Sequence, residues 1–564
     1  MFSNFVRFNL SAACIRVVFL AAFCLALTGA RFNDELPPEE LARAMLSEMS
    51  DEEALAQTFM LGWRDSNGSP SELILEWIKK RRIGAVKVFG WNTNDVKFLA
   101  KNIGNFQKLA LESGIPLLVA TDQEGGLVRH VRGDSSKTPG AMAIGASGFP
   151  EDAYRSGYYI GRELALLGIN MNFAPSVDLF TNHDSLLIGP RSFGDDPVKA
   201  GIFGEAFARG QLAAGIIPTA KHFPGHGDTA LDSHGVLPFI NVDFETLWKR
   251  ELIPYRMLAK AGIPAIMSGH IAFPKTKAGR EPASLSSYFL NEVLRERIGF
   301  KGLIVTDDLA MNGATAGAGS LSQAAKTAIL AGNDIIMISQ TPSLDAPVWT
   351  ALVDSMRNDG NFREKTRRAA LRVLETKLKY LRGPNAARSV PNPALIETGL
   401  PDKEGASFFL DLSARSVTVV GAKEGVIPLP ASKAGKVLLV AGNAGETDDQ
   451  RVQNFFKAGR IAYPGAPRAW WNAMQRGAVL NMARECSVIL FYLEKKDDLD
   501  MLNAFRGLGK RVIVLSVLSP SNLNQIDWVD AKIAVYNDSW GSLLAGFSVI
   551  CGTIDAQGKL PFSF

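Results

Sequence analysis

Histidine is scarce in this chain, six among 564 residues, and three of the six fall in KHFPGHGDTALDSH, Lys221 to His234. Asp228 and Asp232 sit among them. A cluster of this kind suits one of three uses: holding a metal, moving protons, or bracing a polar loop. A zinc centre needs at least three ligands in tight geometry. His222 and His226 are four apart, a spacing that suits a helix face, but Pro224 and Gly225 lie between them and oppose a helix. Metal binding is therefore the weaker use, and His226 reads as a brace for the glycine-rich loop. Asp232-Ser233-His234 offers proton chemistry instead. A carboxylate bonded to one imidazole nitrogen fixes the tautomer and raises the basicity of the other nitrogen. Contact between the two requires a tight turn, so spacing alone leaves the dyad open.

Other stretches carry carboxylates. GLIVTDDLAMNG (302–313) places Asp307 and Asp308 side by side, where one could act as nucleophile, base or ligand and the other cap the next helix. TDQEGG (121–126) offers Asp122 and Glu124, with glycines that allow close backbone approach. Asp122 is suited to accept hydrogen bonds from ligand hydroxyls. IGPRSFGDDP (188–197) holds Arg191 in a turn-rich loop, where a lone Arg reads as a surface residue.

These motifs need elements that bring them together. Short apolar runs recur at 57–63, 84–91, 116–122, 170–176, 218–225, 264–270, 303–308 and 334–340. Each is near strand length and lacks strict alternation, the pattern of strands buried on both faces. Amphipathic segments such as 95–113 and 198–215 separate them. Eight such units predict a (β/α)8 barrel, whose C-terminal strand ends converge on one face. Asp122, Lys221, His222, His270, Asp307 and Asp308 all close such runs, which gives them a physical reason to meet. RGPNAARSVPNPA (382–394) then reads as a linker, and five more apolar runs between 416 and 537 predict a second α/β domain with a parallel sheet. That domain has no histidine, which disfavours it for proton transfer.

The bulk composition bounds the rest. A content of 47% hydrophobic and 21% charged residues is that of a globular protein. With 61 basic against 57 acidic residues and no dense basic run, no nucleic-acid partner is expected. Residues 1–30 read as a signal peptide: Arg7 and Arg16, an apolar core over 17–27, then Thr28-Gly29-Ala30. The apolar core is short for a membrane span, so export without a lasting span is expected. A lipoprotein using Cys24 or an uncleaved anchor is the weaker alternative. Cys486 and Cys551 lie far apart in apolar stretches and read as free thiols.

TDQEGG, GPRSFGDDP, KHFPGHGDTALDSH and GLIVTDDLAMNG, in this order and at wide spacing, resemble family 3 glycoside hydrolases. More narrowly they resemble the β-N-acetylhexosaminidase branch that removes N-acetylglucosamine from peptidoglycan fragments. The resemblance covers about residues 40–380 and, more weakly, GKLPFSF (558–564). It implies a barrel over 31–382, a linker over 383–398 and an α/β sandwich-like domain over 399–564. It implies that Asp307 is the nucleophile, His234 the acid/base and Asp232 its partner, and that Asp122, Arg191, Lys221 and His222 bind the sugar. No metal and no organic cofactor is expected, and a monomer is expected. The family commonly has an Arg eight residues after the aspartate of DQEGG; here His130 stands there, flanked by Arg129. A phosphorylase, a β-glucosidase on the same scaffold and a non-catalytic wall-binding protein are the alternatives.

Overall fold

The computed structural model describes residues 32–564 except 67–68, 186, 232, 234, 385, 388–389, 443–449 and 473. The expected signal peptide and both members of the expected Asp232/His234 dyad lie outside the described residues.

Eight short parallel strands form the first sheet: β1 (Phe59–Gly62), β2 (Ala85–Lys87), β3 (Leu118–Thr121), β4 (Met171–Asn172), β5 (Ile217–Phe223), β6 (Ala265–Ser268), β7 (Leu303–Thr306) and β8 (Ile336–Ile338). Each falls within or overlaps one of the apolar runs. Neighbours in sequence pair with one another from β1 to β7, and β8 pairs with β1. The ring closes where Val305 of β7 bridges Ile335, just before β8, and the Thr306 N–H donates to the Ile335 carbonyl at 3.0 Å.

The missing alternation has a simple cause. Met60, Ala85, Leu118, Ala120, Met171, Ile217, Ala265, Met267, Leu303, Val305 and Met337 fill the barrel interior as one buried cluster. The residues between them, among them Phe59, Leu61, Val86, Val119, Ile336 and Ile338, pack outward against the helices. Both faces are apolar, so period two is present in space and invisible in hydropathy. The helices obey local rules. In α1 (Val96–Leu111), Asp95 caps the Lys97 and Phe98 N–H groups, and Leu99, Ile103, Phe106 and Ala110 form one buried stripe.

The second sheet has six strands: β9 (Thr418–Ala422), β10 (Val437–Gly442), β11 (Arg468–Trp471), β12 (Val488–Leu493), β13 (Arg511–Ser516) and β14 (Ala531–Ala534), in the order β9-β14-β13-β12-β10-β11. It is mixed, not wholly parallel as expected, because β9 runs antiparallel to β14. An apolar run at a sheet edge does not encode its direction, which is set by the side from which the chain enters. The other edge strand, β11, has no apolar run long enough to signal it.

The two parts share a core. Met142, Ala143, Ala146 and Phe180 from the barrel side pack with Leu438, Val440, Phe491 and Phe562. Residues 558–564 run along the barrel: the Lys559 N–H donates to the Ala146 carbonyl at 3.0 Å, the Asp195 N–H to the Pro561 carbonyl at 3.2 Å, and the Ser563 N–H to Asp195 Oδ2 at 3.0 Å. Phe562 meets Phe180 edge-on at 4.9 Å. Cys486 and Cys551 are both free. Among the described residues, no helix is long and apolar enough to cross a membrane.

Candidate active site

The parity that fills the barrel also builds its mouth. Continuing Ala85, Ala120, Thr219 and Val305 by two residues reaches Lys87, Asp122, Lys221 and Asp307. These four ionisable groups form the next layer at the C-terminal end, where a barrel presents its active site.

Three carboxylates and three cations meet there. Asp122 is gripped at both oxygens: Lys221 Nζ donates to Oδ1, and Lys87 Nζ lies 2.7 Å from Oδ2. Lys221 Nζ also lies 2.7 Å from Glu124 Oε1. Arg191 holds Glu124 with both arms, Nε to Oε2 at 2.9 Å and Nη2 to Oε1 at 2.7 Å. Such paired bonds are the strong, geometrically specific kind. Burial opposes the charge on Asp122, but Lys221 and Lys87 outweigh it and hold the carboxyl well below its ordinary range. Burial likewise works against Glu124, and Arg191 and Lys221 overcome it. Arg191 is buried at 7% exposure, not a surface residue as its motif alone suggested. The glycine-rich turns fold its loop over the barrel, where Glu124 receives it.

Lys221 and His222 are consecutive, joined by a cis peptide, and both side chains reach this site. His222 is held by Asp178, which the sequence reading did not single out. His222 Nδ1 donates to Asp178 Oδ2 at 2.7 Å, the His222 N–H lies 3.2 Å from both oxygens, and the His226 N–H donates to Oδ1 at 2.7 Å. With its proton on Nδ1, His222 turns a lone pair on Nε2 toward Arg191 Nη2 at 3.4 Å. Burial opposes the charge on Asp178, but His222 and His226 keep it far below the carboxylate range. His226 is buried, and burial pushes it down to about 4.

Asp307 and Asp308 divide their roles. Asp307 is half-buried at the mouth and accepts the Asp308 N–H at 2.8 Å. Burial pushes its pKa up, but His270, His222, the Asp308 N–H and Lys221 more than offset this and hold it below the ordinary value. Asp308 Oδ1 instead ties two backbone N–H groups, Ala310 and Ser339, each at 3.0 Å. It does not cap a helix as one reading had it; the next helix starts at Asn312 behind Met311. His270 is fully buried, with Nδ1 2.7 Å from Ser284 Oγ and Nε2 3.0 Å from the Asp308 carbonyl.

His130, not Arg129, stands beside Asp122, with Nδ1 at 3.7 Å from Oδ2. Arg129 turns away and donates to the Ser136 carbonyl at 3.2 Å. Ser233 and Gly235, which are described, are tied to the segment that follows β7: the Gly313 N–H donates to the Ser233 carbonyl at 3.2 Å, and Asn312 Nδ2 to the Gly235 carbonyl at 3.4 Å. Lys87 and Asp178 were missed because a single Lys inside AVKVF, and a single Asp inside APSVDLF, look like ordinary strand-end residues. Parity with Ala85 was the available signal for Lys87.

The site thus holds an ionised, half-buried carboxylate at the end of β7, across the barrel from a compact set of charged donors and acceptors at the ends of β2, β3 and β5. Residues 51–375 match the family model described as the glycosyl hydrolase family 3 N terminal domain. The chain is 36% identical over 265 residues to a beta-hexosaminidase of Tolumonas auensis, covering 46% of this chain and 77% of that one. It is 31% identical over 384 residues to a beta-hexosaminidase A of Pseudoalteromonas piscicida, covering 64% and 62% respectively. A solved glycoside hydrolase family 3 beta-N-acetylglucosaminidase from Paenibacillus sp. superposes with a TM-score of 0.79 at 27% identity, covering 91% of this chain and 99% of that one. With more than half its length in the family model, the chain belongs to glycosyl hydrolase family 3.

Proposed function

We propose that the protein is a retaining exo-β-N-acetylglucosaminidase with Asp307 as nucleophile, acting on peptidoglycan-derived or related N-acetylglucosaminides. The observation that carries this is the placement of Asp307. It is a carboxylate held ionised at the barrel mouth, across from the Asp122, Lys221 and His222 sugar-binding set. The similarity to beta-hexosaminidases supports the sugar class.

In the first step an Asp307 oxygen attacks the anomeric carbon, and the glycosidic carbon–oxygen bond breaks. Retaining hydrolysis normally assigns the proton transfer to a second carboxyl group; here the imidazolium of His234, oriented by Asp232, gives its proton to the departing oxygen. In the second step neutral His234 takes a proton from water. The oxygen of that water bonds to the anomeric carbon and the ester to Asp307 breaks. Both groups return to their starting states and the β configuration is retained. Gly225 and Gly227 are packed against Glu251 and Leu179, and the exposed Gly235 is the glycine that allows the loop to move between the steps. The loop's bonds to Asn312 and Gly313 support its approach to Asp307. Asp122, Lys221, His222 and Arg191 hold the sugar. The signal peptide at 1–30 and the division into 31–382, 383–398 and 399–564 belong to the same reading, which places the enzyme outside the cytoplasm.

The test compares p-nitrophenyl N-acetyl-β-glucosaminide with the matching glucoside, with product masses taken in the presence and absence of phosphate. The proposal expects hydrolysis of the first, weak action on the second, and near-complete loss in Asp307→Ala. A sugar 1-phosphate product, a preference for the glucoside, or near-full activity in Asp307→Ala would overturn it.

A further inference from the structure

Lys87 is a lysine with no solvent exposure, lodged at the end of β2. A buried ammonium is costly unless each of its three N–H donors finds an acceptor. Two of them do so at Asp122 Oδ2, 2.7 Å away, and at the Val88 carbonyl, 2.9 Å away. The third points to Nδ1 of His130 at 3.3 Å. The ring faces of Phe89 and Phe173, 4.3 and 5.3 Å from Nζ, complete the cage.

The contact with His130 decides a tautomer. An ammonium has no lone pair, so Nδ1 is attracted to it only as an acceptor. The neutral ring then carries its proton on Nε2, at the opposite edge. The competing contact, Nδ1 to the Val88 carbonyl, is longer at 3.4 Å, and that carbonyl already accepts from Lys87. Burial and the Lys87 charge push His130 down to about 4, so the ring is uncharged at neutral pH. The backbone fixes it in place. Its N–H donates to the Asp122 carbonyl at 2.9 Å, and its carbonyl accepts from Thr93 Oγ1 at 2.6 Å. Among the described residues Nε2 has no partner, while the side chain keeps 24% exposure beside the 16% exposure of Asp122.

A fixed single donor next to a carboxylate acceptor is the arrangement that binds one hydroxyl in both its roles. β3, which leads to Asp122, lies across the barrel from β7, which leads to Asp307. A sugar whose anomeric carbon meets Asp307 therefore turns its far edge, around C4, toward Asp122 and His130.

We propose that Lys87 locks His130 as the Nε2–H tautomer, and that His130 and Asp122 together read the hydroxyl at the far edge of the sugar. His130 is then a specificity-determining residue and Lys87 its positioning residue. This rests on the glycosidase reading above.

The experiment measures kcat/KM on the p-nitrophenyl N-acetyl-β-glucosaminide and its C4 epimer, the galactosaminide, for the wild type and four variants. His130→Ala is expected to lower the gluco-to-galacto ratio about tenfold, the worth of one neutral hydrogen bond. His130→Gln, whose amide nitrogen reaches the Nε2 position, is expected to restore most of it; His130→Asn, which reaches only the Nδ1 position, is not. Lys87→Met is expected to lower the ratio and to change the ring-nitrogen NMR signals of His130 in histidine-labelled protein, identified by their loss in His130→Gln. An unchanged ratio in His130→Ala, equal rescue by Gln and Asn, or an Nδ1–H signal for His130 in the wild type would overturn the inference while leaving the glycosidase reading intact. A wild type that cleaves neither substrate would overturn that reading, and this inference with it.

Discussion

Asp178→Asn removes one oxygen's worth of charge and leaves the shape nearly unchanged, which makes it a sharp probe of how His222 is held. In the wild type both Asp178 oxygens accept, Oδ2 from His222 Nδ1 and Ser176 Oγ, and Oδ1 from the His226 N–H. An asparagine has one acceptor and one donor on these two positions. If its oxygen takes the Oδ2 place, its NH2 faces the His226 N–H across the wild-type distance of 2.7 Å. If it takes the Oδ1 place, its NH2 faces His222 Nδ1, the imidazole proton must move to Nε2, and that N–H then faces Arg191 Nη2 at 3.4 Å. Either orientation sets two donors against each other. The loss of a buried charge-assisted hydrogen bond and the unpaired group it leaves sum to about 3 kcal/mol. Because the pKa of Asp178 is depressed on folding, its contribution is fully present above the ordinary carboxylate pKa of about 3.9 and fades as pH falls through the folded value. Urea unfolding at pH 7 should therefore show about 3 kcal/mol of lost stability. At saturating folded protein, kcat/KM should fall about a hundredfold, the kinetic equivalent of a similar loss at the sugar. A variant within 0.5 kcal/mol of wild type, roughly the scatter of a neutral surface change, and with unchanged kcat/KM would refute the argument that Asp178 fixes the His222 tautomer.

Three further outcomes follow from the same geometry. Glu124→Gln leaves the buried Arg191 without its carboxylate partner and Lys221 with Asp122 alone, and should cost about 3 kcal/mol by thermal or urea unfolding; a neutral change would mean that Arg191 does not depend on Glu124. Phe562→Ala opens the contact with Phe180, two residues beyond Asp178, and should lower both stability, by about 3 kcal/mol, and kcat/KM; lost stability with full kcat/KM would confine the second domain to a structural role. Because the pKa of Asp307 is depressed, the proposed nucleophile stays ionised as pH falls and is lost only below the ordinary carboxylate value. On an aryl substrate whose leaving group needs no proton, kcat/KM should stay flat down to about pH 4, and a limb inflecting above pH 5 would contradict this.

Legibility in the sequence followed physical scale. All eight barrel strands were visible because a strand buried on both faces must be apolar throughout. Their mouth was visible where a strand end carries Asp122, Lys221 or Asp307. Lys87 was hidden because hydropathy reports a single Lys as a break in a run, whereas its meaning comes from parity with Ala85 and from a partner 35 residues on. Asp178 was hidden for a similar reason: its worth lies in backbone N–H groups of His222 and His226, which no side-chain pattern announces. The direction of β9 and the existence of β11 depend on how the chain enters an edge, a property of the whole sheet. The place of residues 558–564 against Asp195 and Phe180 is a contact between distant parts that local signals do not carry.

The most direct test of the central claim is to trap the glycosyl–enzyme. A fluorinated N-acetylglucosaminyl donor with a good leaving group forms the ester quickly and hydrolyses it slowly. Intact mass followed by peptide mapping should find one sugar adduct per chain, on Asp307, and none in Asp307→Ala. An adduct on another residue, or steady turnover with no adduct under conditions that slow the second step, would contradict the assignment of Asp307 as nucleophile.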